Sequence, residues 1–260
     1  MQNAARLISV SVMLALLGAC QSQVDLGELF AEHGLEGTLV IENLDGSIQY
    51  IHNPARASQR FRPASTFKIP NTLIALDEEV IHDEREIIPW DSVERFIPAW
   101  NADQSLETAF PISCVWFYQE LARRVGVEAY QRQLDRLAYG NCQPGPQVDT
   151  FWLEGDLAIS AMEQIAFLKD LHHAKLPYDP AQLDVLKRIM VIDERKGYTL
   201  RGKTGWTHRG EGYIGWFVGY LAQPNETWFF ALNYDATEFD QAAYRQEIVL
   251  DALKRLGIQP

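Results

Sequence analysis

Ser65 and Lys68 stand three residues apart in "RPASTFKIPN", residues 62–71, where a stretch with helical spacing begins. Residues i and i+3 of a helix share a face, so the hydroxyl and the amine can meet. The free N–H groups and dipole of a helix start favour negative charge there. A serine attacking a carbonyl needs a nearby base and donors for the developing oxyanion. A lysine one turn away is that base only when neutral, and burial among apolar groups favours the neutral form by removing water from the ammonium. Taken alone, the pair also reads as an N-cap serine followed by a surface lysine, since S-x-x-K recurs by chance.

Three further stretches bear on that choice. "SCV" at 113–115 sits just before an apolar helix, "YGN" at 139–141 lies on a loop, and "KTG" at 203–205 ends an expected strand whose backbone can offer an edge to a substrate amide. S-x-x-K, S-D-N and K-T-G mark related serine acyl-transfer enzymes. Here the middle motif is S-x-V.

The ordered set "PASTFK", "SCV", "YGN", "FWLEG" and "KTG" resembles the class D (oxacillinase-type) serine β-lactamases, and "FKIPN", "ISAMEQ" and "YRQE" fit as well. The resemblance spans essentially the whole mature chain. It implies that Ser65 is the nucleophile acylated by a β-lactam. It implies that Lys68 is carbamylated by CO2 and serves in that form as general base, with no other cofactor. Phe67, Val115, Trp152 and Leu153 would wall the pocket, with the Trp152 indole N–H donating to the carbamate. On composition Trp152 is as readily a plain core tryptophan. Ser113 would relay a proton towards the lactam nitrogen, helped by Lys203. Thr204, Gly205, Trp206 and Arg245 would bind substrate: Thr204 and Arg245 through its carboxylate, and the Trp206 N–H, with that of Ser65, as the oxyanion hole. Without the resemblance, Arg245 reads as a solvated face. Tyr139 and Asn141 shape their loop. The nine residues between Gly205 and Gly215 form a short connection with Arg209 near its middle. Such forms occur among carbapenem-hydrolysing members, although the length also simply suits strand pairing.

The elements that must position these residues follow from patterning. "DLGELFAEHG" reads as a short amphipathic helix stopped by Gly34, and "GTLVIENLDGSIQYIHN" as a β-hairpin turning at Asp45-Gly46. Helices are expected from Ser65 to about Ala75, over "VWFYQELARRVG", and from Val127 to about Ala138. "SAMEQIAFLKDLHH" begins with a capping box, Ser160 and Glu163. Residues 78–104 read as irregular. "YTLRGKTG", "YIGWFVGYLA" and "TWFFALNYD" read as strands, and "YRQEIVLDALKRLG" as a terminal helix. The order predicts an α+β fold: one antiparallel sheet built from both chain ends, flanked by helices, with a helical subdomain inserted.

The 260 residues carry a net charge of −12, and an acidic surface argues against a nucleic-acid partner. Hydrophobic content of 47% and charged content of 22% are those of a globular protein. "MQNAARLISVSVMLALLGAC" has one cation, a short apolar run and small residues, the make-up of a secretory signal over 1–20 preceding one domain over 21–260. Its end resembles a lipobox, which would lipidate Cys20 and anchor a periplasmic protein to the envelope membrane. An ordinary cleaved signal with a chance cysteine is the other reading. Cys114 and Cys142 form either a disulfide or two free thiols. The six histidines show no metal-ligand pattern. Two alternatives share the acylation chemistry: an antibiotic-sensor domain that stays acylated, and a D-Ala-D-Ala peptidase, whose middle motif is usually S-x-N. The sequence leaves the oligomeric state open.

Overall fold

A computed structural model describes residues 24–258. The Cys20 expectation and the boundary at residue 20 lie outside those residues. The chain runs α1 (Gly27–Glu32), β1 (Glu36–Asn43), β2 (Gln49–His52) and α2 (Pro54–Ala57), then a 3-10 turn (Ala64–Phe67) leading into α3 (Lys68–Asp77). The helical middle continues with α4 (Leu106–Ala109), α5 (Val115–Val125), α6 (Val127–Leu137), α7 (Ala161–His172) and α8 (Pro180–Ile189). It closes with β3 (Val191–Arg195), β4 (Tyr198–Arg209), β5 (Gly212–Ala222), β6 (Thr227–Ala236) and α9 (Tyr244–Arg255).

The strands form one antiparallel sheet in the order β2-β1-β6-β5-β4-β3, so the N-terminal hairpin docks beside the C-terminal strands as expected. Its central strands are buried on both faces, which is why they read as nearly continuous apolar runs rather than alternating ones. On one face Val40, Trp216, Val218, Phe229 and Ala231 pack with the helical middle. On the other Leu39, Ile41, Phe217, Phe230 and Leu232 pack against Leu29 and Phe30 of α1 and Ile248, Val249 and Leu253 of α9. Ser160 caps α7 in the box read from the sequence, its hydroxyl accepting from Glu163 N at 3.2 Å.

Three expectations are corrected. The helix start at Ser65 is a 3-10 turn, and α-helical geometry begins at Lys68. "KTG" lies inside β4 rather than at its end, because pairing with β5 continues to Arg209↔Gly212. The supposed nine-residue connection is therefore mostly strand, closed by Gly210 and Glu211 alone. A sixth strand, β3, pairs with β4 as a short edge; its charged "DER" end carried no strand pattern. Cys114 and Cys142 are both free thiols.

Candidate active site

The 3-10 turn and α3 bring Ser65 and Lys68 together. Lys68 is fully buried and its Nζ donates to Ser65 Oγ at 3.0 Å. Burial pushes the Lys68 amine down to about 7, since an ammonium without water is disfavoured. The Tyr118 ring centroid lies 4.9 Å from Nζ, and Tyr118 Oη is 2.9 Å from Thr72 Oγ1. Tyr118 escaped the sequence reading, although it follows Val115 by one turn of α5 and so had a readable signal.

Phe67 and Trp152 are also fully buried and stack at 5.7 Å. Trp152 is tied to the residue before Ser65, because its carbonyl accepts the Ala64 N–H at 3.0 Å. Its Nε1 is buried without a hydrogen-bond partner. A buried N–H left unpaired is costly, so this donor is free to meet a further acceptor.

Ser113 precedes α5 with a left-handed φ of 56°, and Ala64 beside Ser65 has φ of 51°. Left-handed backbone at non-glycine residues costs on the order of 1 kcal/mol or more and collects at functional sites. Each is held by a backbone bond, Ser113 N to Phe110 O at 3.2 Å and Ala64 N to Trp152 O. Lys203 Nζ donates to Ser113 Oγ, and to Thr204 O at 3.1 Å. Burial first, then the charges of Lys68 and Arg245, hold the Lys203 amine well below the usual lysine range. Two serines thus each meet a buried, deprotonation-prone amine.

Strand β4 lies tightly along the 3-10 turn. A Cβ on Gly205 would sit 3.0 Å from Pro63 O and 3.2 Å from Thr66 Cγ2, so a side chain there would crowd the turn and glycine suits the close approach. Arg245 reaches back from α9, donating from Nε to Ala242 O at 2.6 Å and from Nη1 to Gly205 O at 3.1 Å. Its guanidinium lies 5.4 Å from the Trp206 ring centroid and has no carboxylate partner among the described residues. An unpaired, half-buried cation lining the same cleft as Ser65 is suited to an anionic group.

Ser65, Ser113, Val115, Leu153, Thr204, Trp206 and Arg245 line one cleft of about 350 Å³. Phe67, Lys68, Trp152 and Lys203 lie buried behind it. The sequence reading missed further residues of the lining, among them Phe96, Ile97, Trp100 and Phe239. These residues come from segments without periodicity. Tyr139 and Asn141 lie outside the cleft lining. Tyr139 Oη accepts from Gln164 Nε2 at 3.3 Å, and Asn141 binds the backbone of Asp156 and Ala158. Among the described residues no group of three or more His, Cys, Asp or Glu side chains could hold a metal.

The penicillin binding protein transpeptidase domain family matches residues 37–254. The chain is 42% identical to β-lactamase OXA-48 of Klebsiella pneumoniae over 231 residues, 89% of this chain and 87% of that protein. It is 36% identical to β-lactamase OXA-20 of Pseudomonas aeruginosa over 253 residues, 95% and 94% of the two chains. Among solved structures, the class D β-lactamase YbXI from Nostoc superposes with a TM-score of 0.88 at 45% identity, covering 91% of this chain and all of that one. Similarity of this extent, in sequence and in fold, makes the chain a member of the class D β-lactamase family.

Proposed function

We propose that this protein hydrolyses β-lactam antibiotics through an acyl-enzyme on Ser65 and so confers resistance. The observation that carries the reading is the fully buried Lys68, whose amine, shifted to about 7, lies 3.0 Å from Ser65 Oγ. Ser65 Oγ attacks the lactam carbonyl, the C–N bond breaks, and an ester forms. Ser113, hydrogen-bonded to Lys203, passes a proton to the leaving nitrogen. Thr204 and Arg245 hold the substrate carboxylate. The backbone N–H groups of Ser65 and Trp206 receive the oxyanion; Ser65 lies in the first turn of a short helix, where N–H groups lack an internal acceptor. Lys68, neutral and buried, accepts CO2 at Nζ, and the unpaired Trp152 Nε1 is the donor available to it. The carbamate supplies an anionic oxygen base for forming and hydrolysing the ester. Water then releases the ring-opened product and frees Ser65.

The test is steady-state hydrolysis of a penicillin. Many product molecules per protein molecule are expected. A single stoichiometric burst would instead identify an acylated sensor or peptidase.

We further propose a periplasmic location with lipid attached at Cys20, supported by the "LGAC" stretch. Among the described residues no helix is long and apolar enough to cross a membrane. Cell fractionation is expected to recover the protein with the envelope, and Cys20→Ala to release or mis-process it. A soluble wild-type protein whose mature N-terminus lies away from residue 20 would refute this.

A further inference from the structure

Trp152 and Leu153 stand on a segment, residues 151–158, that is neither helix nor strand. Its place is therefore set by what grips its backbone. At its start the Trp152 carbonyl accepts the Ala64 N–H, and beyond its end Phe61 and Ile159 exchange two backbone bonds of 2.9 Å. Asn141 adds bonds to Asp156 and Ala158. Between these points the grip comes from two side chains. Thr207 Oγ1, on β4, donates to Leu153 O at 2.8 Å. Arg62 Nε, from the stretch that leads to Ser65, donates to Gly155 O at 2.9 Å. Thr207 is buried and Arg62 is exposed. Neither lines the Ser65 cleft.

The consequence lies at the Trp152 indole. Phe67, the neighbour of Lys68, stacks on the indole at 5.7 Å, and Phe151 meets it edge-on at 5.0 Å. These contacts fix the plane of the ring. The position of Nε1 within that plane is left to the backbone on either side. A donor that serves a small anionic group must hold its place closely, and the groups behind it contribute by holding it there.

Given the function proposed above, we propose that Thr207 and Arg62 are positioning residues for carbamylation of Lys68. By fastening the Leu153 and Gly155 carbonyls they keep the Trp152 indole N–H in place for the carbamate. In that step the Nζ lone pair attacks CO2, the N–C bond forms, a C=O π pair moves onto oxygen, and an amine proton passes to solvent. The step is reversible, so the loaded fraction follows whatever stabilises the new oxygens. Without the Thr207 hydroxyl the Leu153 carbonyl is unpaired and the loop shifts to find another donor, taking the indole with it. One hydrogen bond of this kind corresponds to about three- to tenfold in the loading equilibrium.

The experiment measures loading directly. The protein is titrated with bicarbonate labelled for carbon NMR, and the carbamate signal is followed beside penicillin turnover. Thr207→Val is expected to need about three- to tenfold more bicarbonate than the wild type for half loading. Thr207→Ser keeps the hydroxyl and should match the wild type. Arg62→Met loses a bond that water can replace and should shift loading the same way by about twofold. At fixed dissolved CO2 the rise of activity should move to higher pH in Thr207→Val, because carbamylation releases a proton. At saturating bicarbonate its turnover should return close to the wild-type value. A folded Thr207→Val that loads like the wild type would overturn the proposal, and so would a loss of turnover that bicarbonate leaves in place. Should Thr207→Val not fold, Arg62→Met decides, and unchanged loading there overturns it. No carbamate signal in the wild type at any bicarbonate level would instead bring down the carbamylation reading itself.

Discussion

Lys68 Nζ meets Ser65 Oγ at 3.0 Å from a side chain with no exposed surface. That relationship is what makes a common four-residue spacing a candidate reaction centre. An exposed lysine at the same distance would stay protonated and could not accept the serine proton.

The first consequence is a pH dependence. Burial holds the folded Lys68 amine at about 7, below its ordinary value of 10.5. CO2 adds only to the neutral amine, so activity is expected to rise with pH through about 7. Degassing at mildly acid pH should lower it and bicarbonate should restore it. Stability moves in the same sense. Between the two values the unfolded chain binds a proton that the folded chain does not, so stability rises with pH across that window. Below it a buried cation is carried at a cost. Lys68→Met should therefore raise the thermal midpoint below pH 7, by on the order of 3 kcal/mol in stability, while abolishing turnover. Thermal melts across pH test this.

Ser113 and Lys203 are joined by a hydrogen bond, and in the proposed reaction they work as one unit. Ser113→Ala and Lys203→Ala are each expected to slow acylation by about a hundredfold or more. The double variant should be scarcely slower than either single one. Pre-steady-state acylation rates would check this, and additive losses would separate the two residues.

Arg245 is an unpaired cation beside Trp206. Arg245→Ala should raise KM and cost about ten- to a hundredfold in kcat/KM with a penicillin. Much of the difference between wild type and variant should vanish with the substrate's methyl ester, which lacks the charge. An equal loss with the ester would point to lost packing instead.

The β4–β5 hairpin bears on carbapenems. Arg209 pairs with Asp235 and lies 4.9 Å from the Phe61 ring centroid, tying the hairpin tip to the segment that leads to Ser65. Slow but repeated turnover of imipenem is expected. Residues inserted at Gly210-Glu211 should lower it more than penicillin turnover. A burst that stalls in the wild type would reject the idea.

The chemistry was more legible than the frame. Ser65 and Lys68 could be read as a pair because their spacing puts both on one helical face, and Ser113 and Lys203 were named through the family resemblance; their hydrogen bonds to one another lie in the fold. The N-terminal hairpin and the Ser160 cap could be read because turns and caps are local. β3 could not, since an exposed edge strand needs no apolar pattern. α8 offered a signal that went unread, an Asp179 cap before Pro180 with Gln182 completing the box. The rest of the cleft lining, Phe96, Trp100 and Phe239, is assembled by tertiary packing of irregular segments. Trp100 is fixed by its own Nε1 donating to Ile112 O at 3.0 Å and by Trp116 Nε1 donating to its carbonyl at 2.7 Å. No local pattern encodes contacts of that range.

The most direct measurement is the mass of the protein and its peptides after mixing with a slowly hydrolysed β-lactam. A single adduct of one antibiotic mass is expected on the peptide carrying Ser65, decaying as product appears, and absent from a folded Ser65→Ala variant. An adduct on any other residue, or none while hydrolysis proceeds, would contradict Ser65 as the nucleophile.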